Sequence, residues 1–271
     1  MLLISDKEFW QLSAYIKENY GINLKKEKKA LVSGRLNNVL AKSNFNNYSE
    51  YIKHIMQDKT GNSAATLINK ITTNHTFFMR EAEHFSFFKN RMLPQLKSTL
   101  KDKDIRIWSA GCSSGEEPYT IAMILDEFFG REKALWDCKV LATDISDTVL
   151  DIAKKGLFRN EGINTLPTFW KHNYFRKIDS EWSALVETIK NEVIYRKFNL
   201  MEEVFPFKKK FDVIFCRNVM IYFDEQTRIK LVEKFYDSME YGGYFFIGHS
   251  ESLNRQETRF KYIMPAIYRK E

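Results

Sequence analysis

The stretch Ile105-Arg-Ile-Trp-Ser-Ala-Gly-Cys-Ser-Ser-Gly-Glu-Glu-Pro-Tyr-Thr120, continued by Ile-Ala-Met-Ile-Leu-Asp-Glu-Phe-Phe129, decides the fold. A short β-rich run meets two glycines four apart, and an amphipathic run opened by Pro118 follows, which reads as strand, tight turn and helix N-terminus. Gly111 and Gly115 allow φ > 0 and close approach of backbone to a ligand, and the free N–H groups of the first helical turn point into the same space. A phosphate site would keep that helix mouth positive, yet Glu116 and Glu117 stand there. The Walker pattern of Lys and Ser/Thr closing a glycine loop is also absent. The stretch therefore points to a cofactor that is adenosine-like but cationic, for which S-adenosylmethionine, with its sulfonium and ammonium, is the candidate. Taken alone, a Gly-x-x-x-Gly turn also admits a solvated capping pair.

Downstream, Lys139-Val-Leu-Ala-Thr-Asp144 reads as a second strand ending in an acid. Asp144 is the expected partner of the ribose hydroxyls, because two vicinal O–H donors match its two oxygens. A helix is expected over Thr148 to Lys155. Residues 157–198 then interrupt the strand-helix alternation with three short β-rich pieces, at 174–178, 184–189 and 193–198, read as a small antiparallel insert. Such an insert either covers an edge or presents one to a peptide. Asn199-Leu200 closes it. The run Phe211 to Phe223 is the next buried strand, and its end changes to Arg217-Asn218, which puts this pair on one rim with Asp144 and the glycine turn, with Tyr222 close behind. A helix over about 224–240, a turn at Tyr241-Gly-Gly, a strand from Tyr244 to His249 and a closing strand within 260–269 complete the alternation.

Upstream, residues 1–72 read as a small helical domain with helices at 6–20, 26–42, 48–57 and 63–71, the first opened by a capping box of Ser5 and Glu8. Eleven basic residues against six acidic ones over 1–70 supply +5 of the chain's +7. Lys28, Arg35 and Lys42 recur every seven residues and are expected in one row beside an apolar stripe, either as a docking face for an acidic partner or as a solvated basic face. A pI near 9.1 also suits nucleic acid, but the helices carry no helix-turn-helix or zinc pattern. Between the domains, residues 71–81 place Asn74, Thr76 and Arg80 in a loop expected to lie across a pocket mouth, anchored by Phe77, Phe78 and Met79.

With 271 residues, 44% of them hydrophobic and 15% aromatic, the chain can bury a substantial core. No apolar stretch approaches the ~20 residues of a membrane span, and the start is charged by its sixth residue, so a cytoplasmic location without membrane insertion is expected. Three dispersed cysteines and five histidines without ligand spacing give no expectation of a disulfide or a metal.

Taken together, these motifs resemble the CheR family of chemotaxis receptor methyltransferases. The matching segments are Thr72-Thr-Asn-His-Thr-Phe-Phe-Met-Arg-Glu81, Gly111 to Thr120, Ala142-Thr-Asp-Ile145, Phe211 to Asp224 and Gly248-His-Ser-Glu251. The resemblance implies a doubly wound α/β S-adenosylmethionine-dependent methyltransferase sheet, spanning 73–271 with the insert at 157–198, behind the all-α domain of 1–72. It implies methyl transfer to glutamate carboxylates on the cytoplasmic domain of methyl-accepting chemotaxis receptors, leaving S-adenosylhomocysteine, by a monomer without metal or nucleic acid. The implied cofactor residues are Asn74, Thr76, Arg80, Glu117, Asp144, Asn199, Leu200, Arg217 and Asn218, with Arg80 and Tyr222 near the transferred methyl and the basic N-terminal helix (Lys28, Arg35, Lys42) meeting the receptor. One departure is Met79, where the family commonly has Phe. An ionised glutamate needs no general base to attack a sulfonium methyl, so Arg80 is expected to hold the acceptor carboxylate and Tyr222 to orient it. An RNA methyltransferase and a non-catalytic cofactor sensor are the alternatives.

Overall fold

A computed structural model describes residues 2–43, 45–72 and 75–271. Four helices form the N-terminal unit: α1 (Asp6–Tyr20), α2 (Lys29–Lys42) after a 3-10 turn at Lys26–Lys28, α3 (Tyr48–Gln57) and α4 (Asn62–Ile71). The Ser5–Glu8 capping box forms in both directions, and Gly21 ends α1 in the left-handed region at φ 72. Phe9, Leu12, Ile16, Val32, Leu36, Tyr51, Ile55 and Leu67 meet in one core.

The expected basic row is divided by this packing. Lys28 lies in the 3-10 turn, where the 3.6-residue period does not hold, and is exposed, as is Lys42. Arg35 instead donates from Nη1 to the carbonyls of Lys70, Ile71 and Thr72, each at 3.1 Å. It caps the C-terminal end of α4, whose last carbonyls have no helical partner.

The remainder runs α5 (Ala82–Phe87), a π-helical segment (Phe88–Met92), α6 (Leu93–Thr99), β1 (Ile107–Ala110), α7 (Glu116–Phe129), β2 (Val140–Asp144) and α8 (Asp147–Lys155). Then come β3 (Leu157–Arg159), α9 (Asn160–Ile163), α10 (Thr168–Tyr174), β4 (Phe175–Lys177), β5 (Trp182–Leu185), α11 (Glu187–Lys190) and β6 (Val193–Lys197). The chain ends with β7 (Phe211–Cys216), a 3-10 turn (Met220–Tyr222), α12 (Glu225–Asp237), β8 (Met239–Ile247), β9 (Lys261–Met264) and β10 (Ile267–Arg269). The seven-stranded sheet has the order β6-β2-β1-β7-β8-β10-β9, parallel from β6 to β8, with β10 antiparallel to both its neighbours. Alternate residues serve opposite faces: Ile107, Val213, Phe215 and Phe246 join the core under α7, while Trp108, Ile214, Phe245 and Ile247 join the one under α12.

Three sequence expectations change here. The piece at 193–198 is not part of the antiparallel insert: β6 pairs in parallel with β2, from Val140 opposite Val193 to Asp144 opposite Lys197, and forms the edge of the main sheet. The small sheet is β3-β5-β4, and the expected strand over 184–189 stops at Leu185, with α11 beginning at Glu187. β-propensity marks such segments but does not name their partners. At Tyr241-Gly-Gly β8 does not end but bulges: its register against β7 shifts from Met239 opposite Phe211 to Tyr244 opposite Val213, Gly242 is left-handed at φ 84, and a Cβ on Gly243 would lie 2.9 Å from the Asp212 carbonyl.

Candidate active site

The glycine turn after β1 is tied to β2 by the N–H groups of Gly111 and Cys112, which both donate to the Thr143 carbonyl at 2.8 and 2.9 Å. Gly111 (φ 83) could carry a Cβ only 2.5 Å from Val219 Cγ2, and Gly115 (φ 98) only 2.7 Å from the Tyr195 hydroxyl, so both positions require glycine. Ser113 follows at φ 50 and donates its N–H to Asp144 Oδ2 at 2.9 Å, while the Ser146 N–H reaches Oδ1 at 3.2 Å. Burial raises the pKa of Asp144 and these two amides oppose it.

A cavity of about 1080 Å³, open mouth included, lies over this turn at the carboxyl ends of the strands. Thr76, Arg80, Glu117, Asp144, Asn199, Leu200, Arg217, Asn218 and Tyr222 all line it, so the structure brings together every described residue expected at the cofactor and methyl; Asn74 lies outside the described residues, and Lys28, Arg35 and Lys42 do not line the cavity. Among the described residues, no lysine lines the cavity. Carboxylates on the glycine-turn side would repel a phosphate there, and the donor set fits a cationic adenosine cofactor.

Arg217 stands at the centre of the polar wall, its side chain 2% exposed. Nη1 donates to Glu117 Oε2 at 2.9 Å, and Nη2 donates to Glu81 Oε2 at 3.0 Å and to the Arg80 carbonyl. Its guanidinium lies 5.1 Å from the Phe85 ring centroid. Glu117 also accepts from Ser109 Oγ at 2.7 Å. Asn218, left-handed at φ 59, donates from Nδ2 to Glu81 Oε1 at 3.3 Å. The backbone between them is held by Glu251, whose carboxylate accepts from the N–H groups of Gly248 (2.6 Å), Asn218 (2.9 Å) and Ile221 (3.1 Å). Burial raises the pKa of Glu251. In Glu81 burial acts in the same direction, but Arg217, the His249 N–H and Asn218 outweigh it, and the pKa is lowered.

The loop carrying Thr76 and Arg80 has left-handed Met79 (φ 60) and Glu81 (φ 57). Phe78 anchors it as expected, buried against Phe158 and Phe175 of the insert at 4.7 and 5.6 Å between ring centroids. Phe77 does not anchor: it is 46% exposed and lines the cavity, with the Arg80 guanidinium 6.0 Å from its ring. Arg80 Nη1 donates to the His75 carbonyl at 2.5 Å.

Sequence reasoning missed several contributors. The helical unit closes one side of the cavity with Tyr20, Ile22 and Ile68, docked through the Asn23 N–H to the Tyr222 carbonyl (2.8 Å) and the Lys17–Asp224 ion pair (2.7 Å). Asn199 Nδ2 reaches the Asn19 carbonyl at 2.8 Å. Glu81 and Glu251 stand in the segments that carry the resemblance with no role implied for either; an acid just beyond a strand's carboxyl end is the signal for Glu251. The fold also brings His84 and His249 beside Glu81, with ligand-type atoms all within 4.8 Å of one another. Both Glu81 oxygens already accept from Arg217, Asn218 and the His249 N–H, and a dication there would sit beside a buried guanidinium. His84 is fully buried, and burial pushes its pKa down to about 3, with Arg217 adding to the effect.

Residues 74–268 match the family described as CheR methyltransferase, SAM binding domain, and residues 7–72 match CheR methyltransferase, all-alpha domain. A chemotaxis protein methyltransferase of Borreliella burgdorferi is 45% identical over 98% of this chain and 95% of its own. The chemotaxis protein methyltransferase of Escherichia coli (strain K12) is 33% identical over 98% and 92%. Among solved structures, the glycopeptide N-methyltransferase MtfA complexed with (S)-adenosyl-L-methionine aligns with a TM-score of 0.33 at 13% identity, over 59% of this chain and 53% of that one, too remote to inform the site.

Proposed function

The chain belongs to the CheR methyltransferase family, and from that premise we propose that it transfers the methyl group of S-adenosylmethionine to glutamate side chains of chemotaxis receptors. The observation that carries this reading is the make-up of one cavity: Glu117 and Asp144, both tied to the glycine-turn region, line it together with Arg80 and Tyr222. S-adenosylmethionine supplies an electrophilic methyl on a positively charged sulfur. Asp144 is suited to the ribose hydroxyls and Glu117 to the cofactor's positive end. Thr76, Asn199, Leu200 and Asn218 shape the remaining wall, and Asn74 is proposed with them. Arg80 offers a planar donor fork to an acceptor carboxylate, and Tyr222 one hydroxyl to orient it. The glutamate is ionised at neutral pH, so positioning and exclusion of water carry the rate rather than proton transfer. Exposed Lys28 and Lys42 are the proposed receptor-facing cations, the protein acting as a cytoplasmic monomer.

The test is incubation with methyl-labelled S-adenosylmethionine and receptor cytoplasmic fragments. Alkali-labile label on the fragments, as expected of a carboxyl ester, supports the assignment; alkali-stable label, or label on RNA instead, overturns it. Arg80→Ala is expected to bind cofactor yet lose about 10²-fold or more in turnover; wild-type turnover removes Arg80 from its role.

A further inference from the structure

The pairing around Arg217 contains one carboxylate more than the guanidinium needs. Glu117 and Glu81 contact separate nitrogens of one buried cation, and their side chains are only 13% and 14% exposed. Folding is served by a single neutralising partner; a second buried carboxylate leaves a net negative charge in a poorly solvated place. Its neighbours do not neutralise it. His84, 3.5 Å from Glu81 Oε2, is held uncharged by burial; Asn218 and the His249 N–H are neutral donors; and the Arg80 guanidinium is turned to the His75 carbonyl. Arg217 and Glu117 line the cavity, but Glu81 does not. Glu81 therefore acts on the cavity's occupant in two ways only: through charge, and through where it holds Arg217 and Asn218.

We propose that Glu81 is a specificity-determining residue whose surplus negative charge favours the sulfonium form of the cofactor over its thioether product. This rests on the function proposed above. S-adenosylmethionine and S-adenosylhomocysteine share the adenosine and the amino-acid zwitterion, and differ by one methyl and one positive charge. A displaced Arg217 or Asn218 weakens both ligands alike, whereas a lost charge weakens the sulfonium ligand by a further amount, the part felt by the ammonium that both share cancelling in the ratio. The ratio of the two affinities separates charge from geometry.

The experiment measures both dissociation constants by titration calorimetry for the wild type and for Glu81→Gln, Glu81→Asp and Arg217→Gln. Glu81→Gln is expected to shift the affinity ratio at least about fivefold toward the thioether, and Glu81→Asp, which keeps the charge, to hold it within about twofold. Arg217→Gln leaves both carboxylates with neutral donors (Ser109 Oγ for Glu117; Asn218 Nδ2 and the His249 N–H for Glu81), so it is the fallback should Glu81→Gln not fold. It removes a positive charge and is expected to shift the ratio about fivefold the other way. A ratio unmoved in Glu81→Gln, with both affinities falling together, or unmoved in Arg217→Gln, overturns the proposal while leaving the methyltransferase reading intact. A wild type that binds neither ligand overturns the reading on which it rests.

Discussion

Gly248 lies just past β8, and its lack of a side chain is a requirement of the neighbouring loop. A Cβ there would sit 2.9 Å from both the backbone nitrogen and Cγ of Asn218, and nearer still to Nδ2, where 3.4 Å begins ordinary contact. Gly248 is not in the left-handed region, so an alanine meets steric conflict alone. The side-chain clash is relieved by rotating Asn218 away from Glu81, which gives up a 3.3 Å hydrogen bond worth about 1 kcal/mol. The clash with the backbone nitrogen is relieved only by moving the loop about 0.5 Å, against the amide bond to Glu251, and overpacking of this kind costs about 1–3 kcal/mol. Gly248→Ala is thus expected to melt about 3–8 °C lower by circular dichroism. Because the same loop carries Arg217 and Tyr222, methyl transfer should fall about tenfold or more, as displacements approaching 1 Å do in positioned sites. Gly34→Ala is the control: nothing lies within 4 Å of the added Cβ on exposed α2, and a gain of about 0.5–1 kcal/mol is expected. A Gly248→Ala protein that melts with the wild type and turns over within about twofold of it would refute the account of this loop.

Arg35→Ala should lower unfolding stability by about 1–2 kcal/mol, since three carbonyls at the end of α4 lose their donor, whereas Lys28→Ala and Lys42→Ala should stay within about 0.5 kcal/mol; chemical denaturation decides between a capping and a purely surface role. Asp212 accepts the Arg106 N–H at 2.8 Å, and burial pushes its carboxyl up to about 6. The folded state therefore holds a proton that the unfolded chain releases near 3.8; the resulting stability is present at acid pH and lost as pH rises through about 6. Asp212→Asn keeps the acceptor without the charge, so it should be more stable than wild type by about 1–3 kcal/mol at pH 8, with the gap narrowing by about half at pH 5. A gap independent of pH would show that the carboxyl does not titrate in this range.

Local order was legible because it is written locally. The ends of α1, the glycine turn and the acid closing β2 each depend on a few neighbouring residues, through capping, positive φ or strand periodicity. Pairing is different. Nothing within Val193 to Lys197 says whether the segment lies in a small insert or along β2, since either placement buries Val193 and Tyr195 on alternate positions. The double glycine at 242–243 signals a local change of direction, and Gly242 is left-handed there, but the strand resumes past it as a bulge, and the reason for Gly243, the Asp212 carbonyl, belongs to a neighbouring strand. Arg35 follows the same logic: its seven-residue spacing from Lys28 and Lys42 is visible in the sequence, but the carbonyls it caps lie 35 to 37 residues away.

The site shows where that limit bears on chemistry. Residue types reported which side chains would reach the rim, and those described do so, but their division of labour depends on contacts between separate segments, from 31 residues apart for Asp144 and Ser113 to 136 for Glu81 and Arg217. Asp144 and Glu251 both accept from backbone amides, Asp144 through one amide on each oxygen with a lone pair on each to spare for the ribose proposed above, and burial raises the pKa of both. They act on shape, holding the glycine turn and the Asn218 loop in left-handed conformations that Ser113 and Asn218 would not otherwise keep. Glu117 and Glu81 spend theirs on Arg217, and the guanidinium outweighs burial to lower the pKa of Glu81. They act on charge. Neutral isosteres should therefore separate the pairs: an amide at 251 loosens the loop and weakens every ligand alike, whereas an amide at 81 changes the preference between ligands that differ by one charge.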